Sequence, residues 1–369
     1  MSNENHLTEP IASEDADSES PLRTYEILTY PADFTLELLV TKWKDKEITL
    51  AEGQRKYIWP QAKASKLIES FLMGLPVPPI YLYQDPEDNR LKVVDGQQRL
   101  MSVVFFFSGF FGERTDVHKP NYFTLVGLDE KSPYLNKTYQ ELKAKDQLAY
   151  NKLTNSVLRS FVMKQIRPDD NSSIFEVFER LNTGGMILQP QEIRNCIYTG
   201  KFNEFLKGLN RYENWRHIIG KKGEDQRMRD IELILRFFAA LHNIKKYEKP
   251  MKEFLNKYMF ANRRFPDSRK KKFEKEFKET ADAVVQYLGK KPFHLRRGLN
   301  VAVYDSVFTA FARQLHNLTH KANQIAQTQA KFETLKQDDE YIGWITSATT
   351  DKDVVPKRID RAEEVLFGP

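Results

Sequence analysis

A five-residue polar segment, DGQQR at positions 95–99, separates two apolar stretches of the chain. The residues before it, RLKVV, are typical of a strand, and those after it, LMSVVFFF, are typical of a helix. The first amides of a helix have no partner within the helix, and with the helix dipole they favour an anion. Arg99 can lean back over this first turn, and its planar guanidinium suits a phosphate. The segment therefore predicts a phosphate site between strand and helix.

The same segment has a purely structural interpretation. Asp95 can be the helix N-cap, and Gln98 then takes the N3 position of a capping box. This leaves Arg99 unexplained, as well as Gly96, a poor helix residue whose missing side chain lets a ligand approach the backbone. In the chemical interpretation, Asp95 can hold Mg²⁺ or accept a proton, and Gln97 or Gln98 can orient a water for attack on a phosphoryl group. Spacing alone leaves both interpretations open.

Two further polar segments contain similar residue types. AEGQRKYIW, with Gln54 and Arg55, indicates a surface turn when taken alone. FERLNTGGMILQPQEIRN ends a helix at its Gly-Gly pair, and its Glu192 and Arg194 are expected first on a solvated helix face. The residues of this segment that can line a polar pocket, if its second helix faces the DGQQR turn, are Asn182, Glu192, Arg194 and Asn195.

The elements that position these segments follow from periodicity. Apolar residues at 64, 67, 68, 71 and 72 form one face of a helix that begins near Pro60 and ends at Gly74. Residues 80–84 and 90–94 predict a hairpin, and residues 155–166 predict another strand. Beyond residue 201 only helical spacing is evident. We therefore predict an α+β fold, with a mixed α/β domain over 23–200 and a helical domain over 201–369.

Composition limits the class of protein. The chain has 369 residues, of which 40% are hydrophobic and 12% aromatic, as expected of a folded protein. No apolar run approaches the ~20 residues of a membrane span, so we expect no membrane partner. The N-terminus does not have the pattern of a signal peptide. Cys196 is the single cysteine, which excludes an intrachain disulfide and fits a cytoplasmic location.

Charge is distributed unevenly along the chain. The first twenty residues contain six Asp or Glu and no Lys or Arg, so we expect a disordered acidic tail over 1–22. The net charge is +6, and the rest of the chain therefore carries +12, which is compatible with nucleic acid. Phe265 and Phe293 could stack on bases between basic residues. The basic clusters are Lys221, Lys222, Arg227 and Arg229; Arg263, Arg264, Arg269, Lys270, Lys271 and Lys272; and Lys290, Lys291, Arg296 and Arg297.

In their order along the chain, the three polar segments resemble one family. The motifs are G-Q-R-x-Y-x-W followed by LPVPPIYLY, then VVDGQQRL, then F-E-R-L-N-T-G-G-x-x-L-x-x-Q-E-I-R-N. They look like the GmrS-type N-terminal domain of type IV, modification-dependent restriction systems, also known as domain-of-unknown-function family 262. The resemblance covers about residues 25–210. It implies a ParB/sulfiredoxin-like mixed α/β core, in which the strand-to-helix turn binds nucleotide phosphates.

The resemblance also implies which residues form the site. By motif position, the catalytic residues would be Asp95, Gln97, Gln98 and Arg99. The nucleotide-binding residues would be Gln54, Arg55, Gly96, Asn182, Gly184, Gly185, Glu192, Arg194 and Asn195. The ligand would be a nucleoside triphosphate with Mg²⁺. The family is associated with hydrolysis of such nucleotides and with defence against phage that carry modified DNA.

One departure from the family pattern bears on the reaction. Such proteins often have a second domain with an HNH nuclease centre, and no such pattern follows residue 200. The pair His316 and His320 lacks the Glu of a metalloprotease-type site, so no metal site is predicted there. The leading hypothesis is an NTPase coupled to nucleic-acid recognition in phage defence. The alternatives are a nucleotide-sensing or DNA-binding regulator that acts through a separate nuclease or effector protein, and an intrinsic nuclease. An oligomer is compatible with each.

Overall fold

The computed structural model describes residues 25–50, 57–85, 88–112, 121–167, 172–181, 189–295, 298–347 and 349–368. The acidic segment expected over 1–22 lies outside these residues. The chain forms two compact units, one over Tyr25–Leu188 and the other over Gln189–Pro369. Among the described residues, no helix combines the length and the apolar character needed to cross a membrane.

A five-stranded mixed sheet forms the centre of the first unit. Its strands, from one edge to the other, are β1 (Glu26–Pro31), β7 (Ser160–Arg167), β4 (Ile80–Gln84), β5 (Leu91–Asp95) and β3 (Ile48–Leu50). The pairs β1–β7 and β4–β5 are antiparallel, whereas β4–β7 and β3–β5 are parallel. The predicted hairpin of residues 80–84 and 90–94 is therefore confirmed. A separate short pair joins β2 (Phe34–Thr35) to β6 (Val157–Leu158).

The helices of the first unit that precede β7 in the chain pack on one face of the sheet because they present apolar stripes. The predicted face at residues 64, 67, 68, 71 and 72 is buried, and the helix ends at Gly74 in a left-handed conformation, as predicted. Phe106 is fully buried in the same core as Leu82 and Val93 of the sheet. These helices are α1 (Leu36–Lys44), α2 (Gln61–Met73), α3 (Gln97–Ser108), α4 (Tyr139–Lys145) and α5 (Gln147–Asn155), and α6 (Ser172–Leu181) follows β7.

The second unit is helical, which confirms the predicted α+β organisation with a helical C-terminal part. Buried aromatic residues such as Trp215, Phe237 and Phe308 fill its core. Its described residues also form a short pair of strands, β8 (His294–Leu295) and β9 (Gly298–Leu299), and 3₁₀ turns at Ile244–Lys246 and Leu315–Asn317. Its helices are α7 (Pro190–Ile197), α8 (Lys201–Leu209), α9 (Glu213–Ile219), α10 (Arg229–Asn243), α11 (Met251–Asn262), α12 (Asp267–Leu288), α13 (Val301–Gln314), α14 (Ala322–Leu335), α15 (Asp339–Thr346) and α16 (Val354–Phe367).

The division between the units lies at residues 188 and 189, ahead of the boundary expected near 200. The reason is α7, which the sequence assigns to the mixed part but which packs against α10 and α11. Its buried side chains belong to the helical core of the second unit.

Candidate functional site at the strand-to-helix turn

The DGQQR turn joins β5 to α3 without a side-chain cap. Asp95 is the last residue of β5 and pairs with Tyr81 of β4, so it remains part of the sheet. Gly96 is the N-cap, and its carbonyl accepts the first helical hydrogen bond, from the Leu100 amide, at 2.9 Å. The predicted capping box of Asp95 and Gln98 is therefore wrong. It fails because strand pairing extends to Asp95 and the helix begins one residue later than a cap at Asp95 requires.

Gly96 is required by the path of the chain. Its φ is +95°, in the left-handed region that favours glycine. A Cβ at this position would lie 2.3 Å from Cγ2 and 2.8 Å from Cβ of Ile80 on the neighbouring strand. The glycine therefore reflects a close approach of the turn to β4, and access for a ligand is not needed to explain it.

Arg99 leans back towards the turn, as its helical position predicts. Its Nη2 donates to the Asp95 carboxylate at 2.7 Å and to the Pro79 carbonyl at 3.0 Å. The exposed fraction is 18% for the Arg99 side chain and 35% for that of Asp95, so the ion pair lies at the surface of the turn. Nε is buried and has no hydrogen-bond partner among the described atoms. The guanidinium is thus held beside the helix N-terminus by a carboxylate, an arrangement that spacing alone did not predict.

Gln98 anchors the segment that follows the first polar motif. Its Oε1 accepts hydrogen bonds from the backbone amides of Ile58 at 2.9 Å and Trp59 at 3.1 Å. One turn later, the Ser102 hydroxyl donates to the Gln98 carbonyl at 2.7 Å and contacts the Tyr57 hydroxyl at 2.8 Å. Burial raises the pKa of Tyr57, while its hydrogen bond to Ser102 acts in the opposite direction. Sequence reasoning missed Tyr57 and Ser102 as partners, although Tyr57 is the Y of G-Q-R-x-Y-x-W.

The anchoring role of Gln98 gives a direct prediction. Gln98→Leu removes the acceptor, so amide hydrogen exchange at Ile58 and Trp59 should become faster. The free energy of unfolding should fall by about 1 kcal/mol, the typical net value of a hydrogen bond. Gln98→Glu keeps an acceptor oxygen and serves as the control, with exchange close to that of the unaltered chain. Unchanged exchange in Gln98→Leu would show that other contacts hold this segment.

Several residues of the predicted site lie outside the described residues. They are Gln54, Arg55, Asn182, Gly184 and Gly185. Their roles in nucleotide binding stay predictions.

Arg194 of the third motif is buried inside the second unit. Only 1% of its side chain is exposed, and its Nη1 donates to Glu232 at 2.9 Å. Its Nε donates to the Asn256 side chain at 2.8 Å, and a further bond at 3.1 Å joins it to Gln191. The expected solvated helix face is therefore wrong for Arg194. Glu232 of α10, Asn256 of α11 and Gln191 of α7 itself replace the water that a surface arginine would bind.

Glu192 and Asn195 are buried as well, which corrects the same expectation for Glu192. Glu192 accepts the Gln189 amide at 2.7 Å and lies 3.3 Å from Nη1 of Arg227. Asn195 accepts a hydrogen bond from the Asn203 side chain. These contacts show what stabilises the start of the helical unit, and they place each residue among polar partners of that unit.

The basic clusters differ in how much charge they leave exposed. In the first, Lys221 pairs with Asp225 at 2.9 Å, and Arg227 is the partner of Glu192. In the third, Arg296 and Arg297 lie outside the described residues. In the second, the exposed residues stand where α12 begins, and we call them the α12 basic patch: Arg264, Arg269, Lys270, Lys271 and Lys272.

The predicted stacking role of Phe265 and Phe293 is wrong. The exposed fraction is 2% for Phe265 and 0% for Phe293, so neither ring can reach a base. Phe265 packs against Phe202 at a centroid distance of 5.0 Å, and Phe293 packs against Tyr304 at 5.5 Å. Apolar burial, which spacing between basic residues does not reveal, decides their position.

Residues 36–199 match the family model described as the GmrSD restriction endonuclease, N-terminal domain. No curated protein matches the chain. The matched segment contains the DGQQR turn and the third motif, which are among the residues that carry the resemblance. Residues 36–199 are therefore a domain of the GmrSD restriction endonuclease N-terminal family.

Proposed function

We propose that this chain binds a nucleoside triphosphate with Mg²⁺ at the DGQQR turn and hydrolyses it in a restriction system directed against phage DNA. The family match supports the restriction context. The observation that carries the nucleotide site is the Asp95–Arg99 pair, held at the N-terminus of α3 by the left-handed Gly96. A guanidinium and helix amides at one turn form a set of donors suited to a phosphate.

The ion pair does not preclude a phosphate ligand. Ion pairs between partly exposed side chains are worth only ~0–1 kcal/mol, because water solvates both partners. A triphosphate carries more negative charge than one carboxylate. Its oxygens can also accept two parallel hydrogen bonds from the guanidinium N–H groups. We therefore expect Arg99 to exchange part of its contact with Asp95 for the phosphate, while Pro79 keeps the side chain in place.

The residues at the turn also fit the cation that accompanies a triphosphate. Mg²⁺ usually binds one or two carboxylates and completes its shell with phosphate oxygens and water. Asp95 is a partly exposed carboxylate at the turn, and no group of three His, Cys, Asp or Glu side chains suited to a metal occurs in the described part of the chain. Asp95 would hold this cation, which would neutralise charge on the phosphate oxygens.

The two glutamines of the turn are the candidates for orienting the attacking water. The Oε1 of Gln98 accepts two backbone amides, which restrains this side chain. The same observation favours the second candidate function, a nucleotide-sensing regulator that binds without hydrolysis and acts through a separate effector. An intrinsic nuclease remains the third candidate.

One assay tests the proposal. The purified chain is incubated with each nucleoside triphosphate and Mg²⁺, with and without DNA, and nucleotide binding, phosphate release and DNA integrity are measured. Phosphate release supports the NTPase, binding without release supports the regulator, and cleaved DNA supports the nuclease. If no nucleotide binds and no phosphate is released, the nucleotide-site proposal is overturned.

The α12 basic patch supports contact with nucleic acid. Cations at a helix N-terminus oppose the helix dipole, so four of them within residues 269–272 raise the local positive potential at a cost to helix stability. Arg269 also lies over the ring of Phe273, at 4.9 Å from its centroid. Arg263, just before the patch, is half-buried over Phe260 and is better explained by that contact. We propose that the patch contacts the phosphate backbone of DNA.

Paired substitutions distinguish this patch from overall charge. The double variant Lys270→Gln and Lys271→Gln should weaken DNA binding and lower the slope of log affinity against log salt by about 2, one unit for each lost contact. The control is Lys245→Gln with Lys246→Gln, which removes equal charge at other exposed positions of the second unit. Equal losses in both double variants would mean that net charge, and not the patch, determines binding.

A further inference from the structure

A row of residues crosses the sheet beside the DGQQR turn. Asp95 of β5 pairs with Tyr81 of β4, and Tyr81 pairs with Phe161 of β7. Adjacent strands lie about 4.8 Å apart, so Cα of Phe161 is about 10 Å from Cα of Asp95. Pro79, whose carbonyl binds Arg99, is two residues before Tyr81 on the same chain segment. The aromatic residues therefore adjoin the proposed phosphate site.

The rings of Tyr81 and Phe161 are stacked, with their centroids 5.5 Å apart and 23° between their planes. They lie on the face of the sheet opposite the core, because the neighbouring Ile80 and Val162 point into the core. Both rings are half-buried and keep part of their surface open.

The nearest neighbours of the two rings along β4 and β7 on this face are buried. Two residues farther along the same strands, and so on the same face, the exposed fractions of Tyr83 and Met163 are 4% and 7%. Helix α6 begins over the far end of β7, where the Ser173 amide donates to the Gln165 side chain at 2.9 Å, and it packs against β5. On this face the middle of β4 and β7 is thus covered beside the rings, whereas the edge strand β1 is exposed.

We infer that the Tyr81–Phe161 ring pair is the platform on which the base of the bound nucleotide stacks, an inference that rests on the nucleotide-binding function proposed above. Every nucleobase has a flat aromatic surface that stacks on such rings. The separation of the rings from Asp95 is comparable with that between the base and the phosphates of a nucleotide. Phosphate contacts at the turn and stacking on the rings would then bind the two ends of one ligand.

The inference predicts a difference between two probes. Phe161→Leu should weaken binding of a nucleoside triphosphate with Mg²⁺ by about 10-fold to 100-fold, the range expected for one stacked base. Binding of inorganic triphosphate with Mg²⁺ should not change, because it has no base. Phe161→Trp should keep the nucleotide affinity, and its added indole fluorescence should be quenched by nucleotide. Thermal melting of each variant verifies the fold.

The outcomes separate this inference from the function on which it rests. Nucleotide affinity that is equal in Phe161→Leu and the unaltered chain overturns the platform and leaves the phosphate site standing. An equal loss for nucleotide and inorganic triphosphate also overturns it, since the ring would then only support the turn. If the unaltered chain binds neither probe, the proposed nucleotide function and the platform both fail.

Discussion

Replacing Arg99 with alanine is expected to lower nucleotide turnover by about 10²–10³-fold, the effect of removing one strong donor from a site of developing negative charge. Nucleotide binding should weaken with it. Arg99→Lys should recover only part of this loss, because an ammonium keeps the charge but not the planar fork. Arg90→Ala is the matched control, since Arg90 pairs with Asp88 on the surface of the same unit at 3.7 Å. Phosphate release and nucleotide titration measure both quantities.

The Asp95 contact offers a competing explanation for Arg99, and the experiment must exclude it. If the pair only stabilises the turn, Arg99→Ala and Asp95→Asn will each lower the melting temperature and their effects will not add. Nucleotide turnover would then persist in both variants, and the phosphate role of Arg99 would be wrong. In the proposed site, Asp95→Asn should instead reduce the dependence of nucleotide binding on Mg²⁺, because it removes the negative charge that holds the cation.

Gly96→Ala is expected to lower the free energy of unfolding by about 2–5 kcal/mol. Left-handed backbone costs an alanine about 1–2 kcal/mol, and the overlap with Ile80 adds about 1–3 kcal/mol. Gly112→Ala is the matched control, since Gly112 has a φ of +81° and a methyl group added there would meet nothing within 4 Å. In Gly112→Ala the free energy of unfolding should fall only by the cost of the left-handed backbone, about 1–2 kcal/mol. Chemical denaturation of both variants measures the difference.

A second substitution tests the reason for the Gly96 effect. Truncating the neighbour, as Ile80→Ala, should not rescue Gly96→Ala, because Cβ of Ile80 itself would lie 2.8 Å from the new methyl group. Full recovery in the double variant would show that only the Ile80 branch, and not the path of the strand, requires glycine. If Gly96→Ala and Gly112→Ala lower the free energy of unfolding equally, the overlap with Ile80 of β4 does not contribute to the effect.

Local features of the chain were predictable from sequence because neighbouring residues create them. The apolar face of α2, its end at Gly74 and the β4–β5 hairpin all follow from periodicity and turn chemistry. The position of the DGQQR turn between strand and helix follows in the same way. The exact start of α3 did not, because the pairing of Asp95 with Tyr81 is a contact between strands.

Burial in the second unit shows where sequence reasoning reached its limit. Arg194 and Phe265 both lie in basic or polar segments, and both were expected to be accessible. Arg194 is enclosed by polar partners from other helices, and Phe265 packs in an aromatic cluster. A polar segment does not reveal which of its residues face a core, because the helices that cover them come from distant parts of the chain.

The sequence by itself determined helix α2, the β4–β5 hairpin, the helical character of the second half and the three motifs that carry the family resemblance. Only the tertiary structure decided the partners of the motif residues. Gln98 binds amides that are 39 and 40 residues away, and Arg194 binds a side chain 62 residues away. Local periodicity is set by adjacent residues, whereas such partners depend on how distant segments pack, and this is why the pairing of Arg99 with Asp95 and Pro79 became visible only in the folded chain.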